Sequence, residues 1–406
     1  MPITRLRSLD VPKALNGWIV IDAVGRPRYW STIWSDIIHA SLNDSTKSRL
    51  LGPVDCLYQF VEELGDDLDV LITNLDLERI ENALGGFLTL VRNESARKTI
   101  DGNQKWSSAL RFVLEILEFL SLGGKAEASE LAANILRLQR LYSQLSPSRP
   151  PPPVPIRALP SLVLDELYGV FNPISSVNPF KSEAVKWRNF TIFLVLLHLG
   201  IRRGELLVLT TNSLVEEMDP ISGEMKHWLM VTNLIDKEDH DWDTRAQRPG
   251  IKTSQSHRQL PLSAELLSVI DKYLMNYRGT PAHRFLINSQ KNFALDTTAV
   301  NKVFQVATAS LSSKAIKLLN DRGRYSVTPH DLRHTAAVYR LKRHMDDTND
   351  LRRSIDKLRV FFGWSYTSNM PRHYARAYFE TEVSEVWSDQ FDGFVEKIRA
   401  LEGKPL

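Results

Sequence analysis

Apolar side chains recur at mixed spacings of three and four through the first 145 residues, the period of helices that turn one face to a core. The pattern predicts helices over Thr32–Leu42, Pro53–Leu64, Leu77–Val91, Trp106–Leu122 and Glu127–Leu145. Pro53 suits a first-turn position, where its missing N–H costs nothing. Asp76 is placed to cap the helix that follows it. Trp106–Leu122, WSSALRFVLEILEFLSL, is apolar around most of its circumference and is expected at the centre of a small bundle. No stretch in this half alternates with the period of a strand, and no internal repeat is visible.

A proline-dense run, SPSRPPPPVPIRALP over Ser146–Pro160, interrupts the helical pattern. Proline fixes φ and removes a donor, so the run reads as a stiff extended linker between two domains. Beyond it, Ser161 is expected to cap a helix through Phe171, and Ser182–Leu199 reads as a second helix stopped by Gly200 in a left-handed cap. Glu205–Leu209 starts a short helix. His227–Thr232 reads as a strand, and Ile251–Ser254 with Arg258–Leu262 as a hairpin turning at Gln255–His257. The remainder is helical. The fold class expected is mainly α with a small antiparallel β-sheet.

A chain of 406 residues has room for two such domains. No apolar run is long enough to span a bilayer, and MPITRLRSLD is not followed by a signal-type apolar stretch. One cysteine, Cys56, excludes an internal disulfide framework and fits a reducing compartment, so the cytoplasm is the expected location. A net charge of +3 is too small to identify a nucleic-acid partner. The placement of the charges matters more.

Three segments concentrate reactive side chains. LGIRRGEL, Leu199–Leu206, sets two arginines and a glutamate directly after a helix stop. TPHDLRHTA, Thr328–Ala336, puts His330 and Arg333 one turn apart on one face, with Pro329 at the helix start. FFGWSYTSNMPRHYARAY, Phe361–Tyr378, is rich in aromatics and arginine. Taken singly each has an ordinary reading: a surface ion pair, a solvated helix face, a core tyrosine. Their joint order is less ordinary.

That order resembles the tyrosine recombinase (phage integrase) family. GIRRGEL resembles its first arginine box, TPHDLRHTA its second, and GWSYTSNMPRHY its final tyrosine box. IKTSQSHRQLPL resembles the hairpin that carries a lysine between them. The resemblance runs from about Leu159 to Tyr378; from Ser31 to Leu145 it is one of architecture only. It implies a helical core-binding domain over 31–145 after an N-terminal extension, 1–30. The linker, 146–160, then leads to an α+β catalytic domain with a tail helix, 161–406. It implies Tyr374 as the nucleophile that cuts DNA through a 3′-phosphotyrosine link, and Arg202 and Arg333 on the phosphate. Lys252 is then the general acid, His330 and Trp364 complete the ring, and Glu205 and His334 support it. Guanidinium forks match two phosphate oxygens, and fixed donors of this kind usually give the largest catalytic term. The partner implied is double-stranded DNA, bound by a homotetramer on two sites, with accessory proteins an open matter. Neither a phosphate-binding glycine loop nor paired acidic clusters are present, and no cofactor or metal is implied.

Trp364 and Tyr374 are one residue further apart than the common family spacing, which leaves Tyr378 as the other nucleophile candidate. Residues 235–249, IDKEDHDWDTRAQRP, form an acidic insertion whose Glu238, Asp239, His240, Asp241 and Asp243 are too consecutive for one ion, so a solvated loop is expected. The tail Glu382–Leu401 has one apolar helical face, to pack on its own domain or, as the resemblance implies, on a neighbour. A type IB topoisomerase-like enzyme and a DNA-binding regulator without catalysis are the other readings of the same residues.

Overall fold

The computed structural model describes residues 3–6, 17–42, 44–97, 102–121, 128–145, 158–221, 223–232, 243, 245, 249–251 and 256–375. The chain divides into two compact units, Met1–Pro153 and Val154–Leu406, and the division falls within the proline-dense run. Both are mainly helical.

In the first unit, β1 (Ile3–Arg5) and β2 (Trp18–Val20) pair antiparallel, with Thr4 opposite Ile19. Three-residue strands are too short to show alternation, so a segment expected to hold no strand contributes a small sheet. Next come α1 (Tyr29–Ile33), one π-helical turn over Trp34–Ile38, and α2 (Asp44–Glu63). The helix expected over Thr32–Leu42 therefore ends early, in a wide turn closed by the His39 amide on the Trp34 carbonyl. Pro53, expected at a helix start, lies inside α2. A proline there forfeits one hydrogen bond. Burial of Leu51, Val54, Leu57, Tyr58 and Val61 holds both halves of α2 on the core and overrides that cost.

The bundle is completed by α3 (Leu68–Thr73), α4 (Leu77–Arg97), α5 (Gly102–Ser121) and α6 (Ala128–Ser143). Asp76 accepts the Arg79 amide at the start of α4, as its position predicts. α5 touches α2, α4 and α6, and buries Trp106, Phe112, Val113, Ile116 and Leu117. Its all-round apolar sequence is what a central helix requires.

In the second unit, α7 (Ser161–Phe171) starts one residue earlier than a serine cap would place it, with Pro160 at the cap and Ser161 already helical. α8 (Glu183–Leu199) is capped by the Ser182 hydroxyl and ends at Gly200, φ 56°. α8 contacts α7, the short α9 (Arg203–Val208), α10 (Ala264–Asn276) and α13 (Pro329–Thr348). The sheet is β3 (Leu214–Met218), β4 (Met225–Val231) and β5 (Arg258–Pro261), in that order and antiparallel throughout. β4 and β5 are two of the expected strands. β5 pairs with β4, Leu229 opposite Leu260; its expected hairpin partner is Ile251–Ser254. Of that expected partner and its turn, 252–255 lie outside the described residues. β3, LVEEM, is an exposed edge without apolar alternation, so its sequence does not announce a strand. α11 (Thr297–Ala309), α12 (Ser313–Asp321) and α14 (Leu351–Phe362) complete the unit. Among the described residues no helix is long and apolar enough to cross a membrane.

Candidate active site

The site begins where α8 stops. Gly200 takes the left-handed conformation, and a Cβ there would stand 2.4 Å from Phe362 and 3.2 Å from Ala336. Only glycine meets both demands, so the chain turns sharply into Ile201–Arg202. Arg202 is the N-cap of α9. The Glu205 carboxylate accepts the Arg202 amide at 2.8 Å and its guanidinium at 2.5 Å. Arg202 also donates to the Ser256 hydroxyl at 3.1 Å.

Glu205 is buried, 1% exposed, and is shared with a second guanidinium, that of Arg258, at 2.8 Å. Burial alone would raise its pKa. The charge and hydrogen bond of Arg258, with Arg333 and Arg202 behind, outweigh that and hold it at about 2. Glu205 is therefore a carboxylate at neutral pH and acts by orienting cations. Arg258 also donates to the carbonyls of Ser256 and Phe361, so one buried side chain ties the sheet to the first and third segments.

The second segment opens α13. Thr328 and Asp331 form a reciprocal cap: the Thr328 amide and hydroxyl donate to the Asp331 carboxylate, and the Asp331 amide to the Thr328 hydroxyl. Arg324 holds the other oxygen of Asp331 at 2.9 Å. This fixed start directs His330 outward and Arg333 inward. Arg333 is 3% exposed and donates to the carbonyls of Gly200 (2.5 Å) and Phe362 (2.8 Å), the residues that end α8 and α14. Burial, then the charge of Arg202, lowers its pKa to about 9, which still leaves it charged at neutral pH.

The third segment supplies an aromatic stack under Arg333. Trp364 lies between Phe362 (4.8 Å) and Tyr374 (5.3 Å), both nearly parallel to it. The Arg333 guanidinium sits 4.9 Å from the Phe362 ring and 5.5 Å from that of Trp364. Tyr374 is buried, with its ring 5.0 Å from that of His334. His334 Nε2 is 3.0 Å from His330 Nε2, so in a hydrogen bond one ring donates and the other accepts.

A cleft of about 580 Å³ is lined by Arg202, Arg203, Asn301, Gln305, His330 and Arg333, among others. The structure thus brings Arg202, His330 and Arg333 to one cavity, with Glu205 beneath. Trp364, His334 and Tyr374 are not in its lining. They form the packed layer behind, and Tyr374 connects to the cleft through the two histidines. Lys252, Tyr378 and the tail 382–401 lie outside the described residues.

The sequence did not single out Arg258 or Asn301, and it gave Arg203 only as the second arginine of LGIRRGEL, without a role. Arg203 donates to Asn301 Oδ1 at 2.5 Å, a contact between α9 and α11. The insertion 235–249 departs in part from a solvated loop. Asp243 and Arg245 are buried and paired through two contacts of 2.8 Å, and Arg245 also donates to the carbonyls of Leu207 and Leu295. Among the described residues no cluster of His, Cys, Asp and Glu could hold a metal ion.

The profile of the phage integrase family matches residues 174–381, more than half of the chain. No curated protein matches the sequence. Among solved structures, the chain is similar to XerA recombinase at 17% identity, covering 89% of this chain and 97% of that one, with a TM-score of 0.35. It is similar at 16% to the Tn1549 transposon integrase in complex with circular intermediate DNA, covering 80% and 98%, with a TM-score of 0.43. It is also similar at 12% to a lambda integrase dimer bound to a COC′ core site, covering 85% and 93%, with a TM-score of 0.41.

Proposed function

Because the chain belongs to the phage integrase family, we propose that it is a site-specific DNA recombinase, cutting and rejoining duplex DNA through a 3′-phosphotyrosine link to Tyr374. The observation that supports this most is the convergence of Arg202, His330 and Arg333 on one cleft, with His334 and Tyr374 packed behind it.

The scissile phosphodiester binds between Arg202 and Arg333. The Tyr374 oxygen attacks phosphorus, the bond to the 5′ oxygen breaks, and charge grows on the non-bridging oxygens. Two guanidinium groups held by Glu205 and by backbone carbonyls meet that charge without rearranging, which is where electrostatic catalysis gains most. The His334–His330 pair stands beside Tyr374 to take its proton. Lys252 returns one to the departing 5′ oxygen. Trp364 packs Tyr374 against Arg333. The tyrosyl link keeps the energy of the broken bond, so rejoining is the reverse step. Tyr374 is buried at rest, so attack requires the helical segment at 370–375 to bring its hydroxyl forward. Recombination then takes four copies on two duplexes, with 31–145 and 161–406 as the core-binding and catalytic domains.

The test compares Arg202→Ala and Arg333→Ala with wild type in single-turnover cleavage and in DNA binding. Both should lose at least about 100-fold in rate and far less in affinity, since they meet charge that appears only in the transition state. Equal losses in rate and affinity would reduce them to phosphate anchors.

A further inference from the structure

Arg203 follows Arg202 in the chain, yet its surroundings differ. Arg202 leans on Glu205. Arg203 lines the same cleft with a neutral partner, Asn301 Oδ1, at 2.5 Å. Among the described residues no carboxylate lies within ion-pair distance of Arg203, whereas Arg202 and Arg258 are both paired with Glu205. The aim of Arg203 is fixed all the same, because Asn301 stands on α11. The backbone there has no slack: a Cβ on Gly204 would come within 3.2 Å of the Gly250 carbonyl.

Charge balance gives this cation a use. Arg202, Arg258 and Arg333 act on one buried carboxylate, Glu205, which Arg202 and Arg258 share, and Arg203 adds a fourth cation on the wall of the same cleft. The acid nearest the second segment, Asp331, is held by Arg324. A phosphodiester brings one negative charge, and a second develops during attack. Arg202 and Arg333 answer that pair. Arg203 is in excess of what a single phosphate needs.

We propose that Arg203, aimed by Asn301, binds a second DNA phosphate, one flanking the phosphate that is cut, and so sets the register of the strand in the cleft. This rests on the reading that the cleft takes a DNA strand. Arg203 is then a positioning residue, and its contribution is counterion release on binding.

The experiment measures binding of the full-length protein to two random-sequence duplexes across a range of salt concentrations. Wild type, Arg203→Ala, Arg203→Lys and Asn301→Asp are compared. Each phosphate contact adds about 0.9 to the slope of log K against log salt. Arg203→Ala should lower that slope by about 0.9, with the same loss of affinity on both duplexes. Arg203→Lys should keep the slope. Asn301→Asp sets a carboxylate against an intact Arg203 and should lower the slope as alanine does, without removing any packing group. An unchanged slope in Arg203→Ala or Asn301→Asp overturns the proposal. A loss that differs between the two duplexes also overturns it, because that is base reading. Wild-type binding with no salt dependence would sink the DNA-cutting function itself, which keeps the two failures distinct.

Discussion

Glu205 shows how a single residue organises the site. Burial penalises its charge, and two guanidinium groups within hydrogen-bond distance more than repay the penalty. Its folded-state pKa, about 2, lies below the ordinary value of 4.5. Stability from a depressed carboxylate is fully present above the unfolded value and is lost as pH falls through the folded one. The shift corresponds to about 3 kcal/mol. Glu205→Gln should therefore be less stable than wild type by about 3 kcal/mol at pH 7 in urea denaturation. The gap should close between about pH 4.5 and about pH 2. A gap that stays constant over that range would remove Glu205 from the charge network.

At the scale of elements, the site depends on three helix ends: α8 at Gly200, α14 at Phe362–Gly363 and α13 at Thr328. Arg333 joins the first two by bonding their last carbonyls. Gly200→Ala must adopt a left-handed conformation and also push Phe362 aside, a cost of about 3 kcal/mol. Gly223→Ala has the same backbone problem, φ 70°, but nothing within 4 Å, and should cost about 1 kcal/mol. Chemical denaturation of the two variants checks the difference, and equal losses would mean that the approach to Phe362 is not tight.

Gly200, the helix start at Pro329 and the boundaries of α8 were legible in the sequence because caps and stops are local signals. Arg202, His330 and Arg333 were legible because their spacing matches a family pattern. Arg258 and Asn301 were not. Their partners stand 53 and 98 residues away, and nothing near them in the chain reports the contact. Pro53 misled because tertiary burial overrode a local rule, and β1, β2 and β3 were too short or too exposed to show a period.

At the scale of the whole molecule, each unit has its own core. Phe112 is buried among Trp34, Tyr58 and Val113 in the first, Phe304 among Phe171, Val300 and Ala307 in the second. Truncating either ring should cost its unit about 3–5 kcal/mol. Hydrogen exchange should show lost protection within Met1–Pro153 for Phe112→Ala and within Val154–Leu406 for Phe304→Ala. Loss spread evenly over both units in either variant would mean that the chain folds as one cooperative body.

The proposed recombination depends on covalent attachment of DNA to Tyr374. The protein is incubated with duplex DNA from the regions flanking its coding sequence, the complex is digested with protease and nuclease, and nucleotide-bearing peptides are sequenced by mass spectrometry. A nucleotide is expected on the Tyr374 side chain through a 3′ phosphate, absent in Tyr374→Phe and present in Tyr378→Phe. An adduct on Tyr378 that survives Tyr374→Phe would contradict attachment at Tyr374.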